Sequence, residues 1–152
     1  MRAILQRVYS ASVVADGAKS GEIGKGIYIL LGVENNDSET DSELLATKIS
    51  KLRIFSDENG KMNLSVKDVG GDILVVSNFT LYANYSHGNR PDYFASAAPD
   101  KANTLYEHFK NCIRSNDIHV ESGVFGADMK SEIVTDGPVT IVMDSENLKK
   151  GK

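Results

Sequence analysis

The chain is poor in the residues that build small cross-linked or metal-held folds. It has one cysteine, Cys112, so no internal disulfide framework or multi-cysteine zinc site is available to it. It has three prolines and no tryptophan. Its longest apolar run, Ile27 to Leu31, is far short of the roughly 20 residues a membrane span requires. Basic residues are outnumbered, 17 to 21, giving a net charge of −4 with histidines neutral. A field of that sign argues against non-specific duplex binding and leaves room only for a local nucleic-acid pocket. The start reaches a second arginine, Arg7, before any apolar stretch, so no signal peptide is expected. A soluble, cytoplasmic protein that contacts neither membrane nor DNA is the expectation.

What remains is globular. The 152 residues are 41% hydrophobic and 25% charged, in keeping with one domain able to bury a core. A single domain over 1–152 is expected, with about 146–152 as a flexible tail. The pattern predicts a strand over 3–14, where polar and apolar residues alternate, and a strand buried on both faces at Ile27 to Val33. Thr40 with Glu43 three residues later forms a capping-box pattern. Leu44, Leu45, Ile49 and Leu52 then recur at helical spacing. Ile73 to Val76 reads as the best buried strand. Pro99 suits the first position of a second helix with the stripe Ala102, Leu105, Tyr106, Phe109 and Ile113. Strands are expected again at 117–121, about 128–134 and 139–143, with Thr135-Asp136-Gly137-Pro138 as a turn between the last two. The fold class is α/β: mixed sheets in a barrel-like or two-sheet core, with two main helices on one side.

Most chemistry-bearing residues have a plain structural reading. His108 and Cys112 stand at i, i+4 on the second helix, the spacing of a thiol–imidazole pair. No third ligand is near in sequence, and a helix flank is the simpler reading. His87 lies in a polar loop, as a general base or as an ordinary surface residue. The glycines from Gly21 to Gly26 lead into a strand rather than a helix, so they do not form a phosphate loop. Two segments stand apart. Ser77-Asn78-Phe79-Thr80-Leu81 follows the buried strand, where a rigid scaffold can present hydroxyls, an amide and a ring. Asp136-Gly137-Pro138-Val139 precedes a strand, as a hairpin turn or as a shaped loop.

At these segments the chain resembles the D-aminoacyl-tRNA deacylase family. The resemblance runs nearly end to end, through Gln6-Arg7-Val8, Gly21-Glu22-Ile23-Gly24, Leu31-Gly32-Val33, Arg53-Ile54-Phe55-Ser56-Asp57, Gly60-Lys61-Met62-Asn63, Arg90-Pro91, Phe125-Gly126-Ala127-Asp128-Met129 and Gly137-Pro138-Val139-Thr140. It implies a cofactor-free hydrolase that frees D-amino acids, and glycine, from mischarged tRNA. It implies a homodimer with active sites at the interface, each holding the 3′-terminal adenosine of an aminoacyl-tRNA.

By resemblance, Ser77, Phe79 and Thr80 are catalytic. Asn78, Leu81, Phe125, Ala127, Met129, Gly137, Pro138 and Val139 bind substrate. Gly137-Pro138 is cis and enters the partner's pocket, where its carbonyls exclude an L side chain, and Arg7 braces that loop. No metal is implied. The chain departs from the family pattern at Asn78, where glutamine is usual, at Thr135, where asparagine is, and at Val124, where arginine is common. Two mechanisms are open: a Thr80 nucleophile, or positioning of the adenosine 2′-hydroxyl and a water. The second fits the lack of an evident base in the sequence. The alternative function is a non-catalytic dimer that binds aminoacyl-tRNA ends.

Overall fold

A computed structural model describes residues 1–151. In chain order the elements are β1 (Arg2–Ala15), β2 (Ala18–Ile23), β3 (Gly26–Gly32), α1 (Glu39–Ser50), β4 (Phe55–Ser56), β5 (Met62–Leu64) and β6 (Asp72–Ser77). They continue with a 3-10 turn (Phe79–Tyr82), α2 (Pro99–Arg114), β7 (Val120–Ser122), β8 (Met129–Asp144) and α3 (Ser145–Lys150). The main sheet runs β2-β1-β3-β6-β7, with β8 on the other edge of β1. The pairs β3–β6 and β6–β7 are parallel and the rest antiparallel. Gly21 of β2 lies close against the Ser122 backbone of β7, which nearly closes the sheet into a barrel. The hairpin β4–β5 stands apart.

The continuous apolar runs of β3 and β6 are explained by burial on both faces. Ile27, Ile29, Leu31, Ile73 and Val75 point toward the helices and pack with Leu45, Ile49, Leu105, Phe109 and Ile113. Tyr28, Leu74 and Val76 point into the barrel with Val8, Ala11 and Val13. The period-2 alternation of β1 serves the same two cores.

Three details differ from the sequence expectations. Helix α1 starts earlier than the Thr40 pattern suggests: its cap is Ser38, whose N–H donates to the Asp41 carboxylate at 2.9 Å. Asp41 is buried and Glu43 exposed, so the shorter acid makes the cap. Of the residues expected as a tail, 146–150 belong instead to α3, and Lys152 lies outside the described residues. The helix is held by Lys149 on Asp41 at 2.6 Å and by Ser145, which donates to the same carboxylate at 2.7 Å.

The third difference concerns 129–144. Both halves run antiparallel to β1 in one direction, so 135–138 is no hairpin turn. β1 is long enough, about 46 Å, to pair with both halves in line. Between Val8 and Gln6 it advances two residues while β8 advances five, from Thr135 to Thr140. The four residues Asp136 to Val139 stand opposite Arg7 alone and are thrown out as a bulge.

Candidate active site

Strand β6 is held between β3 and β7, and this rigid position fixes where it ends. Ser77 pairs with Leu31, and the Asn78 N–H then donates to the Leu31 carbonyl at 2.8 Å. The chain turns there into the 3-10 turn. Neither the Phe79 nor the Thr80 N–H has an acceptor among the described residues, as expected at the open start of a helical turn. The Phe79 carbonyl accepts from the Ser96 hydroxyl at 2.9 Å, and its ring meets Tyr93 edge to face at 5.0 Å.

A cavity of about 620 Å³ opens beside this turn. Ser77, Asn78 and Phe79 line one wall, and Phe125, Ala127 and Met129 another. Residues almost fifty apart in sequence thus converge on one cavity. Tyr93, Ser96, Pro99, Ala102 and Tyr106 also line it. They were not singled out from the sequence as site residues. Tyr106 belongs to the core stripe of α2, and the irregular segment before Pro99 has no periodicity to read. Burial pushes the Tyr106 phenol up to about 12, and its hydroxyl donates to the Val75 carbonyl at 2.9 Å. It is a neutral floor, not a base.

Thr80 and Leu81 belong to the same turn but do not line the cavity. The Thr80 hydroxyl donates to the Asn78 amide oxygen at 2.5 Å, an acceptor too weakly basic to activate a nucleophile. The Leu81 carbonyl accepts from Arg2 at 3.2 Å, and Arg2 also pairs with Asp144. The termini of β1 and β8 therefore secure the far end of the turn.

Gly137, Pro138 and Val139 lie elsewhere. Their bulge leaves β8 at the level of Ile27 and Ile73, four residues below Leu31 and Ser77. That separates it from Ser77 by about 13 Å along the strands and about 14 Å across them. None of the three residues lines the cavity of their own chain. The Gly137-Pro138 peptide is cis, both residues are exposed, and Val139 packs on the main core. Arg7 holds the bulge by pairing with Asp136, and it also donates to the Ile54 carbonyl at 2.6 Å.

The histidines contribute nothing to the cavity lining. His108 Nδ1 stands 3.7 Å from the Cys112 sulfur, and burial pushes that thiol up, away from the reactive thiolate. The helix-flank reading accounts for the pair. Among the described residues no cluster of three His, Cys, Asp or Glu side chains could hold a metal ion, and no helix is long and apolar enough to cross a membrane.

A model of the D-Tyr-tRNA(Tyr) deacylase family matches residues 4–144. This chain belongs to that family. It is 51% identical over 150 residues to the D-aminoacyl-tRNA deacylase of Dictyoglomus turgidum, covering 99% of this chain and 96% of that one. It is 53% identical over 149 residues to the protein of the same name from Thermosipho melanesiensis, covering 97% and 99%. Among solved structures, the c-Myc DNA Unwinding Element Binding Protein superposes with a TM-score of 0.87 at 38% identity, covering 95% of this chain and 98% of that one. The deacylase family match spans both the Ser77 to Leu81 turn and the Gly137-Pro138 bulge.

Proposed function

We propose that the protein hydrolyses the ester of D-aminoacyl-tRNA, releasing free D-amino acid and tRNA. The observation that carries this reading is the meeting of the Ser77 to Phe79 wall with the Phe125 to Met129 wall around one cavity, beside two backbone N–H groups without acceptors. An aminoacyl ester is already activated. Donors aimed at the developing oxyanion are often worth about 3–4 kcal/mol each, enough to matter without a nucleophilic side chain.

In this mechanism the cavity takes the terminal adenosine and the ester. The Phe79 N–H, at the cavity wall and without an acceptor among the described residues, receives the carbonyl oxygen as water attacks. The neighbouring ribose hydroxyl of the substrate positions that water and relays its proton to the ester's ribose oxygen, which leaves as a hydroxyl when the acyl C–O bond breaks. Thr80 shapes the turn through Asn78 rather than attacking.

Chirality belongs to Gly137 and Pro138, and their position argues for a second copy of the chain. None of the bulge residues lines the cavity of its own chain, and in this reading a partner supplies the wall. β8 supports such pairing: among the described residues it pairs only with β1, and it exposes Val134 and Val142. A long open strand edge with apolar residues is a surface that proteins normally cover. In a two-fold dimer each bulge enters the other's cavity, its backbone leaves hydrogen-sized room at the α-carbon, and glycine passes with the D-amino acids. The cytoplasm, where tRNA is charged, is the corresponding compartment.

The test is hydrolysis of matched D- and L-tyrosyl-tRNA and of glycyl-tRNA, with light scattering on the same sample. Rapid loss of the D and glycyl esters by a dimer, with the L ester spared, is expected. Protection of the D ester instead of hydrolysis would make the protein a binding module, and an active monomer would refute the shared site.

A further inference from the structure

The segment between the 3-10 turn and α2 carries an aromatic ring that neither the core nor the cavity uses. Phe94 is 87% exposed, the highest value among the large hydrophobic side chains of the described residues. It is not on a loose loop. Tyr93 and Ser96 close a turn, the Ser96 N–H donating to the Tyr93 carbonyl at 3.0 Å, and both line the cavity. Phe94 is therefore the second residue of a turn whose first and fourth residues form the cavity rim. Asn35 holds it from behind, its side-chain amide donating to the Phe94 carbonyl at 2.6 Å and its N–H to the Ala95 carbonyl at 3.0 Å. The turn is tied further by Asn84 and Asp92, which exchange backbone bonds at 2.8 and 2.9 Å.

The backbone that carries this ring is tied in place while the ring itself stands in water, an apolar face open to a partner. The chemistry around it indicates which partner. Tyr85, 78% exposed, lies in the same segment. So does Arg90, exposed and without a carboxylate within 4 Å among the described residues. Exposed rings and an unpaired guanidinium in one segment are the features that hold single-stranded nucleic acid: bases stack on the rings and phosphates meet the cation. In an acidic chain this local arrangement is distinct from the surface at large.

We propose that Phe94 is a stacking platform for the unpaired nucleotide that precedes the terminal adenosine of the substrate RNA, with Arg90 facing the intervening phosphate. This rests on the aminoacyl-tRNA reading of the cavity. If the terminal nucleoside enters between Phe79 and Phe125, the strand must leave across the rim. Tyr93 belongs to that rim, and Phe94 is the next residue along, about 3.8 Å further on by Cα spacing. The platform accepts any base, because every base has a π-face, and so supplies affinity without sequence selection.

The protein has no tryptophan, so Phe94→Trp introduces a single fluorescent reporter at the platform. Titration with the uncharged trinucleotide CpCpA should quench it saturably, and Arg90→Gln in that background should weaken the quench. In kinetics, Phe94→Ala should raise KM for D-tyrosyl-tRNA about fivefold or more, as expected for one lost stack, with kcat held. Hydrolysis of D-tyrosyl-adenosine, which lacks the preceding nucleotide, should be unchanged. An unquenched reporter, or an unchanged KM, would overturn the proposal. So would equal losses on both substrates, which would place Phe94 in the cavity chemistry. A change of association state in Phe94→Ala would make the patch a contact between copies, and the platform would again be wrong. If wild type hydrolyses neither ester, the deacylase reading fails on its own, while the trinucleotide titration still decides the platform.

Discussion

Arg7 grips Asp136 with two nitrogens: Nε lies 3.1 Å from Oδ2, and an Nη donates to Oδ1 at 3.2 Å. The Nε contact lies off the N–H axis, so the Nη bond carries the directionality. The other Nη donates to the Ile54 carbonyl, so one guanidinium links β1, the approach to β4 and the bulge of β8. Both side chains are largely shielded from water, which keeps the pair from being a weak surface bridge. Arg7→Met should cost about 1.5–3 kcal/mol, the range for a hydrogen bond to a charged group. It should also let the bulge move, so that the ratio of D- to L-tyrosyl-tRNA hydrolysis falls. Denaturant unfolding and the paired substrates measure the two effects. An unchanged ratio would show that Arg7 supports folding only.

Thr80 and Phe79 sit side by side, yet their substitutions should differ. The Thr80 hydroxyl is spent on the Asn78 amide, whereas Phe79 forms cavity wall and meets Tyr93. Thr80→Ala should keep kcat/KM for D-tyrosyl-tRNA within about tenfold, near 1.4 kcal/mol, and Phe79→Ala should lose on the order of a hundredfold. Trapping an acyl ester on Thr80 would reverse the argument.

Gly137 has a φ of +136°, a region in which L side chains are rarely found. A Cβ built there would stand 2.6 Å from the Val139 nitrogen and 2.9 Å from its Cγ2. Gly137→Ala must therefore reshape the bulge, at about 1–3 kcal/mol for the strained backbone. The expected outcome is a modest fall in thermal stability and a larger fall in chiral discrimination. Discrimination equal to wild type would mean that the bulge does not face the substrate.

Asp41 gives the protein an acid-side dependence. Burial alone would raise its carboxyl. The bonds from Lys149, Ser145 and Ser38 outweigh burial and hold it well below the usual carboxylate range. Its folded value thus lies below its unfolded value of about 3.9. The stabilisation is fully present above that unfolded value and is lost as pH falls below it toward the folded value. Asp41→Asn should cost about 1–3 kcal/mol at neutral pH, with a smaller penalty near pH 2. Urea unfolding at both pH values measures this, and a pH-independent difference would count against the linkage.

Elements whose signals are local could be read from the residues alone. Two-sided burial wrote Ile27 to Val33 and Ile73 to Val76 as continuous apolar runs, and Pro99 with a five-residue stripe marked α2. Ser77 to Leu81, Phe125 to Met129 and Gly137-Pro138, the segments of the proposed site, were legible as motifs. Tertiary structure alone decided how they are used. Whether 135–138 turns the chain back or bulges from it depends on the length of β1, over a hundred residues away, which pairs with both halves of β8. Whether Ser38 or Thr40 caps α1 depends on the burial of Asp41 under α3. The cavity wall from Tyr93 to Ala98 has no period of its own, because its shape comes from hydrogen bonds to Asn35, Val33 and Phe79 rather than from a repeating pattern. The separation of Gly137 from its own chain's cavity is a matter of sheet order and register, which depend on contacts between distant strands and leave no mark in neighbouring residues.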